Sequence, residues 1–168
     1  MGAGKTSVGK RLAARLGLEF RDADQEIEAA AGLTVSEIFE KFGEEEFRKG
    51  ERRVIARLLD EPVHVLATGG GAFMDPETRA TIRQSGLSLW LKADLDTLVE
   101  RTSRRNTRPL LRAGNPREIL EKLIAVRYPV YGQADLVVES SPASLDTTVD
   151  KVLGALSSHL AAQAHMAG

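Results

Sequence analysis

The sequence predicts an α/β fold with a parallel sheet covered by helices, and three observations carry that prediction. Short β-branched runs alternate with segments of helical period, the order expected when helices form the crossovers of a parallel sheet. A run reading Gly2-Ala3-Gly4-Lys5-Thr6-Ser7 stands at the head of the first helical segment. One apolar strand candidate, residues 63–68, runs directly into Gly69-Gly70-Gly71.

The elements follow in order. Val8, Leu12, Ala13 and Leu16 recur at helical spacing, with Lys10, Arg11 and Arg15 outside and Gly17 placed to stop the helix. Residues 18–22 read as a short strand entering Asp22-Ala23-Asp24 and an acidic helix through Ala31. Residues 34–59 read as helix, with breaks expected near Gly43 and Gly50. Strand 63–68 follows, then strand 87–91 and helix 94–102. Residues 103–115 are polar, arginine-rich and expected to be a loop. Helix 117–128, strand 136–138 and helix 145–160 complete the pattern, and residues 161–168 are expected to fray as a disordered tail. With no internal repeat and no linker, one domain is expected over 1–160, with a mobile lid at about 103–116.

Composition narrows the function. The 168 residues suffice for a buried core, and 42% hydrophobic with 28% charged is the balance of a globular domain. A net charge of -1 gives no electrostatic argument for nucleic acid or an anionic membrane as partner. No cysteine is present, which excludes disulfides, a thiolate metal site and a thiol nucleophile. There is no apolar run of spanning length and no signal-peptide pattern, so a cytoplasmic location is expected.

Gly4-Lys5-Thr6 supplies the end of the phosphate-loop pattern, a glycine followed by four residues and Gly-Lys-Ser/Thr. Glycines let successive backbone N–H groups converge on one phosphate, and the helix behind adds its positive end. In that pattern Lys5 reaches the β- and γ-phosphates and the Thr6 hydroxyl binds Mg²⁺. The pattern's first glycine and the strand feeding it fall before Met1, so the parent protein is expected to continue upstream. Taken alone, Gly-Lys before a helix can also be simple turn chemistry.

Asp22 and Asp24, two apart on an extended chain, would face one side and could share a cation and a substrate hydroxyl. The plainer alternative is a helix cap with acidic first-turn residues. Arg48 lies beside the expected break at Gly50, where an exposed arginine is usually just solvated. Gly69, Gly70 and Gly71 surrender backbone entropy, which implies a close approach to that backbone or else a generous loop. Arg108, in the run Asn106-Thr107-Arg108-Pro109-Leu110-Leu111, suits the charge that spreads over a transferring phosphoryl group. Its alternative is a basic surface loop. Arg127, at an expected helix end, would face an anion or satisfy terminal carbonyls.

Together GAGKTS, FRDAD, FRKGE, TGGGA, NTRPLL and Arg127-Tyr128-Pro129-Val130-Tyr131, in this order, strongly resemble the shikimate kinase family over residues 1–156. The resemblance implies a P-loop NTPase-like three-layer fold with a mobile lid. It implies transfer of the ATP γ-phosphate to the 3-hydroxyl of shikimate, with Mg²⁺ as cofactor, in aromatic amino-acid biosynthesis. Carried over by position, Gly2, Ala3, Gly4, Lys5, Thr6 and Ser7 would hold the phosphates. Thr6 would ligate Mg²⁺, with Asp22 acting through bound water. Asp24 would bind the ring hydroxyls and accept the proton of the attacking one. Arg48 and Arg127 would clamp the substrate carboxylate beside Gly69, Gly70 and Gly71. Arg101 would lie by the adenine, and Arg108 would close over the phosphates; Lys5 and Arg108 thus join Asp24 in catalysis. A monomer with ATP and shikimate as its partners is expected. One departure from the family is the lack of any arginine or lysine between Val138 and Lys151, where some relatives carry a basic residue near the adenine. Two other readings remain open, a related small-molecule kinase such as gluconate kinase and a ligand-sensing domain of a regulator.

Overall fold

A computed structural model describes residues 2–103, 115–140 and 144–166. In chain order the elements are α1 (Lys5–Leu16), β1 (Phe20–Asp22), α2 (Ala23–Ala31), α3 (Val35–Leu59), β2 (Val65–Ala67), a single 3-10 turn (Ala72–Met74), α4 (Pro76–Ser85), β3 (Leu89–Lys92), α5 (Leu95–Ser103), α6 (Pro116–Tyr131), β4 (Leu136–Glu139) and α7 (Leu145–Met166). Strands and helices alternate as expected, and every strand pairing among the described residues is parallel. The four strands form two separate pairs, and the chain divides into two compact units, Met1–Leu12 with Leu89–Gly168 and Ala13–Ser88.

In the first unit β3 pairs with β4, Leu89 opposite Leu136 and Lys92 opposite Glu139. α7 packs on β4 and α5 on α6. Val8, Leu91, Leu98, Leu120, Val138, Val149 and Val152 are buried here. Arg11 of α1 donates two hydrogen bonds to Asp146 at the start of α7, at 2.9 and 3.2 Å. α7 continues through Met166, so residues 161–166 are helical where fraying was expected. Alanine and leucine carry the highest helix propensities, and the stretch from Leu160 to Ala164 is rich in both. α6 also runs past its expected end to Tyr131, with Pro129 inside it.

In the second unit β1 pairs with β2, Phe20 opposite Val65 and Asp22 opposite Ala67. α1 ends in paired bonds, Leu18 N–H to the Ala13 carbonyl and Gly17 N–H to the Ala14 carbonyl, with Gly17 at φ 66. Thr34 starts α3 with a capping box, its hydroxyl accepting from the Glu37 N–H while the Glu37 carboxylate accepts from the Thr34 N–H. The expected break at Gly43 is present as a kink with φ 81 and ψ 173. Gly50 does not break the helix. Phe47, Glu51, Val54 and Ile55 are buried on either side of it, and that packing outweighs the roughly 1 kcal/mol that glycine costs within a helix. Ile27, Ile38, Phe47, Val54 and Leu58 form one core cluster and Ala23, Ile55 and Ala72 a second. α4 is poor in apolar residues and is announced by its ends, Asp75 as N-cap, Pro76 in the first turn and Gly86 after it. Among the described residues no helix is long and apolar enough to cross a membrane.

Candidate active site

The phosphate loop is built in the first unit. Gly2 and Gly4 have φ of 74 and 88, a region that side chains beyond glycine rarely adopt. A β-carbon on Gly2 would lie 3.1 Å from Thr102 Cγ2, so the loop also packs tightly against α5. α1 begins at Lys5, and its first bond runs from the Val8 N–H to the Gly4 carbonyl at 2.9 Å. N–H groups in the first turn of a helix point out along its axis toward the positive end of the dipole. Lys5, Thr6 and Ser7 occupy that turn, with Thr6 and Ser7 exposed. Arg101 on α5 reaches the same loop and donates to the Ala3 carbonyl at 3.3 Å and to Ser140 Oγ at 2.9 Å.

A second cluster is built in the other unit around the glycine strip. A β-carbon on Gly71 would collide with the Arg48 guanidinium. One on Gly69 would lie 3.1 Å from Asp24 Oδ1 and 3.3 Å from Glu51 Oε1. The close approach implied by three glycines is therefore made by the protein's own charged side chains, and Gly70 lies between the two contact points. Arg48 Nη1 donates to Glu51 Oε2 at 2.6 Å, and Nη2 donates to Glu44 Oε1 at 3.4 Å. Burial favours the uncharged form of Arg48, but the pairing with Glu51 and Glu44 outweighs it and raises its pKa. Glu51 is 2% exposed, and its Oε1 has no hydrogen-bond partner. Burial raises the Glu51 pKa against the opposing pull of Arg48, and the nearby charges of Asp24 and Asp75 add to the rise.

Two local expectations change. Asp22 and Asp24 are not neighbours on one extended strand, because β1 ends at Asp22 and α2 starts at Ala23. Asp22 is the N-cap, its Oδ1 accepting from the Asp24 N–H at 3.1 Å, and Asp24 is an exposed carboxylate in the first turn of α2. The cap alternative describes the backbone, and the helix start carries Asp24 to the glycine strip. Arg48 does not stand beside a break at Gly50 but inside the regular part of α3 that follows the kink at Gly43. That regularity places Glu51 one turn onward on the same face. Glu51 joins this cluster although sequence reasoning gave it no role; its signals were its place at the end of the FRKGE run and its i,i+3 spacing from Arg48.

Arg127 sits within α6 rather than at its end, half-buried, and makes no ion pair among the described residues. Its neighbour Tyr128 donates its hydroxyl to the Ala93 carbonyl and meets Trp90 edge-on at 4.7 Å, which ties this part of α6 to the end of β3. Arg108 and most of the expected lid lie outside the described residues.

The shikimate kinase family pattern matches residues 1–157. The chain is 56% identical over 160 residues to the shikimate kinase of Paramagnetospirillum magneticum, covering 95% of this chain and 82% of that protein. It is 56% identical over 156 residues to the shikimate kinase of Caulobacter vibrioides, covering 93% of this chain and 78% of that protein. Its fold matches the structure of shikimate kinase from Acinetobacter baumannii in complex with shikimate, with a TM-score of 0.89 and 40% identity over 94% of this chain and 89% of that one. The chain belongs to the shikimate kinase family.

Proposed function

We propose that the protein transfers the γ-phosphate of ATP to the 3-hydroxyl of shikimate, giving shikimate 3-phosphate and ADP. One observation carries the reading: a guanidinium, Arg48, and a carboxylate, Asp24, both crowd the same glycine strip. A cation there suits a substrate carboxylate, and an anion suits a substrate hydroxyl. Arg127, to which the family resemblance gives a part in holding the substrate carboxylate, is half-buried and makes no ion pair among the described residues.

In the reaction Asp24 accepts the proton of the 3-hydroxyl as its oxygen bonds to the γ-phosphorus. The bond from that phosphorus to the β,γ-bridging oxygen breaks, and its electron pair leaves with ADP. The phosphoryl transition state is loose, so positioning and charge stabilisation dominate. The N–H groups around Gly2, Ala3, Gly4, Thr6 and Ser7 hold the phosphates, Lys5 and Arg108 stabilise the charge on the moving group, and Arg101 borders the nucleotide.

Mg²⁺ fits the donor set. The Thr6 hydroxyl and the Asp22 carboxylate, the residues the family resemblance assigns to the ion, are each hard oxygen donors of the kind Mg²⁺ takes. A cation held by one or two protein oxygens and completed by phosphate and water is the usual habit of Mg²⁺. Bound there, the ion would neutralise charge on the β- and γ-phosphates. The monomer is the proposed working unit. The cytoplasm, where ATP is abundant, is the proposed site of that work.

The test is a coupled ADP-release assay with shikimate, quinate and gluconate as acceptors. ADP release dependent on shikimate and far slower with the other two is expected. A rate with shikimate no higher than with ATP alone, beside turnover of gluconate, refutes the substrate.

A further inference from the structure

A phosphate cradle turns its N–H groups toward the anion, and so its carbonyls must turn away. A carbonyl turned into the protein needs a donor, because a buried polar group left unmet is costly. Ala3 is 8% exposed, and its carbonyl oxygen meets two donors. Arg101 Nη1 donates to it from 3.3 Å and Ser140 Oγ from 3.3 Å. Arg101 Nη1 also donates to Ser140 Oγ at 2.9 Å, which closes a three-membered network. The protons are accounted for: the serine hydroxyl gives its one proton to Ala3 and takes the guanidinium proton on a lone pair.

The sheet places Ser140. Its N–H donates to the Lys92 carbonyl at 2.7 Å, extending the β3–β4 ladder past its last pair, and the residue is 7% exposed. The Ala3 carbonyl and the Gly4 N–H share one rigid peptide plane and point in opposite directions. Holding the carbonyl therefore aims the N–H. Gly4, at positive φ, forms one end of that plane, and Gly2, also at positive φ, precedes Ala3 at the other, so the plane sits in permissive backbone and needs an outside clamp.

We propose that Ser140 is a positioning residue for nucleotide binding: with Arg101 it clamps the Ala3–Gly4 peptide plane so that the Gly4 N–H faces a phosphate. The inference rests on residues 2–7 being the phosphate loop.

The experiment measures ATP and shikimate affinity by titration calorimetry, with both KM values, in Ser140→Ala, Ser140→Thr and Ser140→Val. The last two share one shape and differ by the hydroxyl. Ser140→Ala and Ser140→Val weaken ATP binding about five- to tenfold, the loss of one buried hydrogen bond, with shikimate binding unchanged. Ser140→Thr restores ATP binding to within about twofold. Ser140→Val binding ATP as tightly as Ser140→Thr overturns the proposal. So does a parallel loss of both substrates in Ser140→Ala and Ser140→Val, which marks a purely structural role. Lys5→Ala separates the layers. If it leaves ATP affinity intact, the phosphate-loop reading falls and this inference with it. If it weakens ATP binding while Ser140→Val does not, the role of Ser140 alone is lost.

Discussion

Replacing Gly71 by alanine separates the site from the fold. Gly71 has φ -85 and ψ -24, a conformation open to any residue, so the added methyl strains no backbone. Its nearest collision is with the Arg48 guanidinium, the far end of a flexible side chain. To reach ordinary van der Waals separation that group must retreat by about 1 Å. The retreat moves it off the glycine strip and disturbs its 2.6 Å contact with Glu51. Loss of a hydrogen bond to a charged group costs about 1.5–3 kcal/mol, or roughly 10- to 150-fold in affinity. Gly71→Ala is therefore expected to weaken shikimate binding by about that factor and to leave ATP binding unchanged. The assay is calorimetric titration of both ligands, with thermal melts alongside, in Gly71→Ala, Arg48→Ala and the double variant. Because both changes act through one guanidinium, the double variant should bind shikimate no worse than Arg48→Ala. Parent-like affinity in Gly71→Ala, or losses that simply add in the double variant, would refute the reasoning.

Asp24→Asn should lower kcat by roughly 10²- to 10⁴-fold while both substrates still bind, because asparagine keeps the size and loses the base; turnover within a few-fold of the parent would shift the role toward Asp22. Glu51 titrates above its ordinary value of 4.5, chiefly through burial, so the stability it contributes is fully present below pH 4.5 and is lost as pH rises through the elevated value. Urea unfolding of the parent and Glu51→Gln across that range should show the parent's relative stability falling with pH, and a rising difference contradicts the assignment. Asp75 caps α4, accepts from Thr78 Oγ1 at 3.1 Å and pairs with Arg52 at 3.0 Å, so Asp75→Ala should cost about 1–2 kcal/mol in denaturant melts. Burial pushes the Asp75 carboxyl up, but Arg52, the Glu77 N–H and Thr78 outweigh it and hold its pKa below 3.8, so its contribution disappears as pH falls through that depressed value.

The alternation of strands and helices was readable because hydrophobic period and glycine stops are local signals. Gly17, Gly43 and the Thr34 capping box behave as their chemistry predicts. The failures have physical causes. Gly50 reads as a break on propensity alone, yet its neighbours Phe47, Glu51 and Val54 are buried and hold the helix together. α4 carries few apolar residues, so its caps are its clearest mark. Asp22-Ala23-Asp24 supports both a strand end and a cap, and the hydrogen bond from the Asp24 N–H decides between them. At the site, three consecutive glycines correctly signalled a close approach, but not which groups make it. Arg48, Asp24 and Glu51 come from different turns of two helices, and their convergence is a tertiary fact. That Glu51 and Ser140 are buried could not be seen in a single sequence.

The most direct measurement is a single-turnover reaction with ATP labelled in its γ-phosphate, Mg²⁺ and shikimate, followed by NMR analysis of the labelled product. The account predicts that the label moves to shikimate in step with ADP formation and that the phosphate sits on the 3-hydroxyl. Label found only in inorganic phosphate, or on a different hydroxyl, would contradict it.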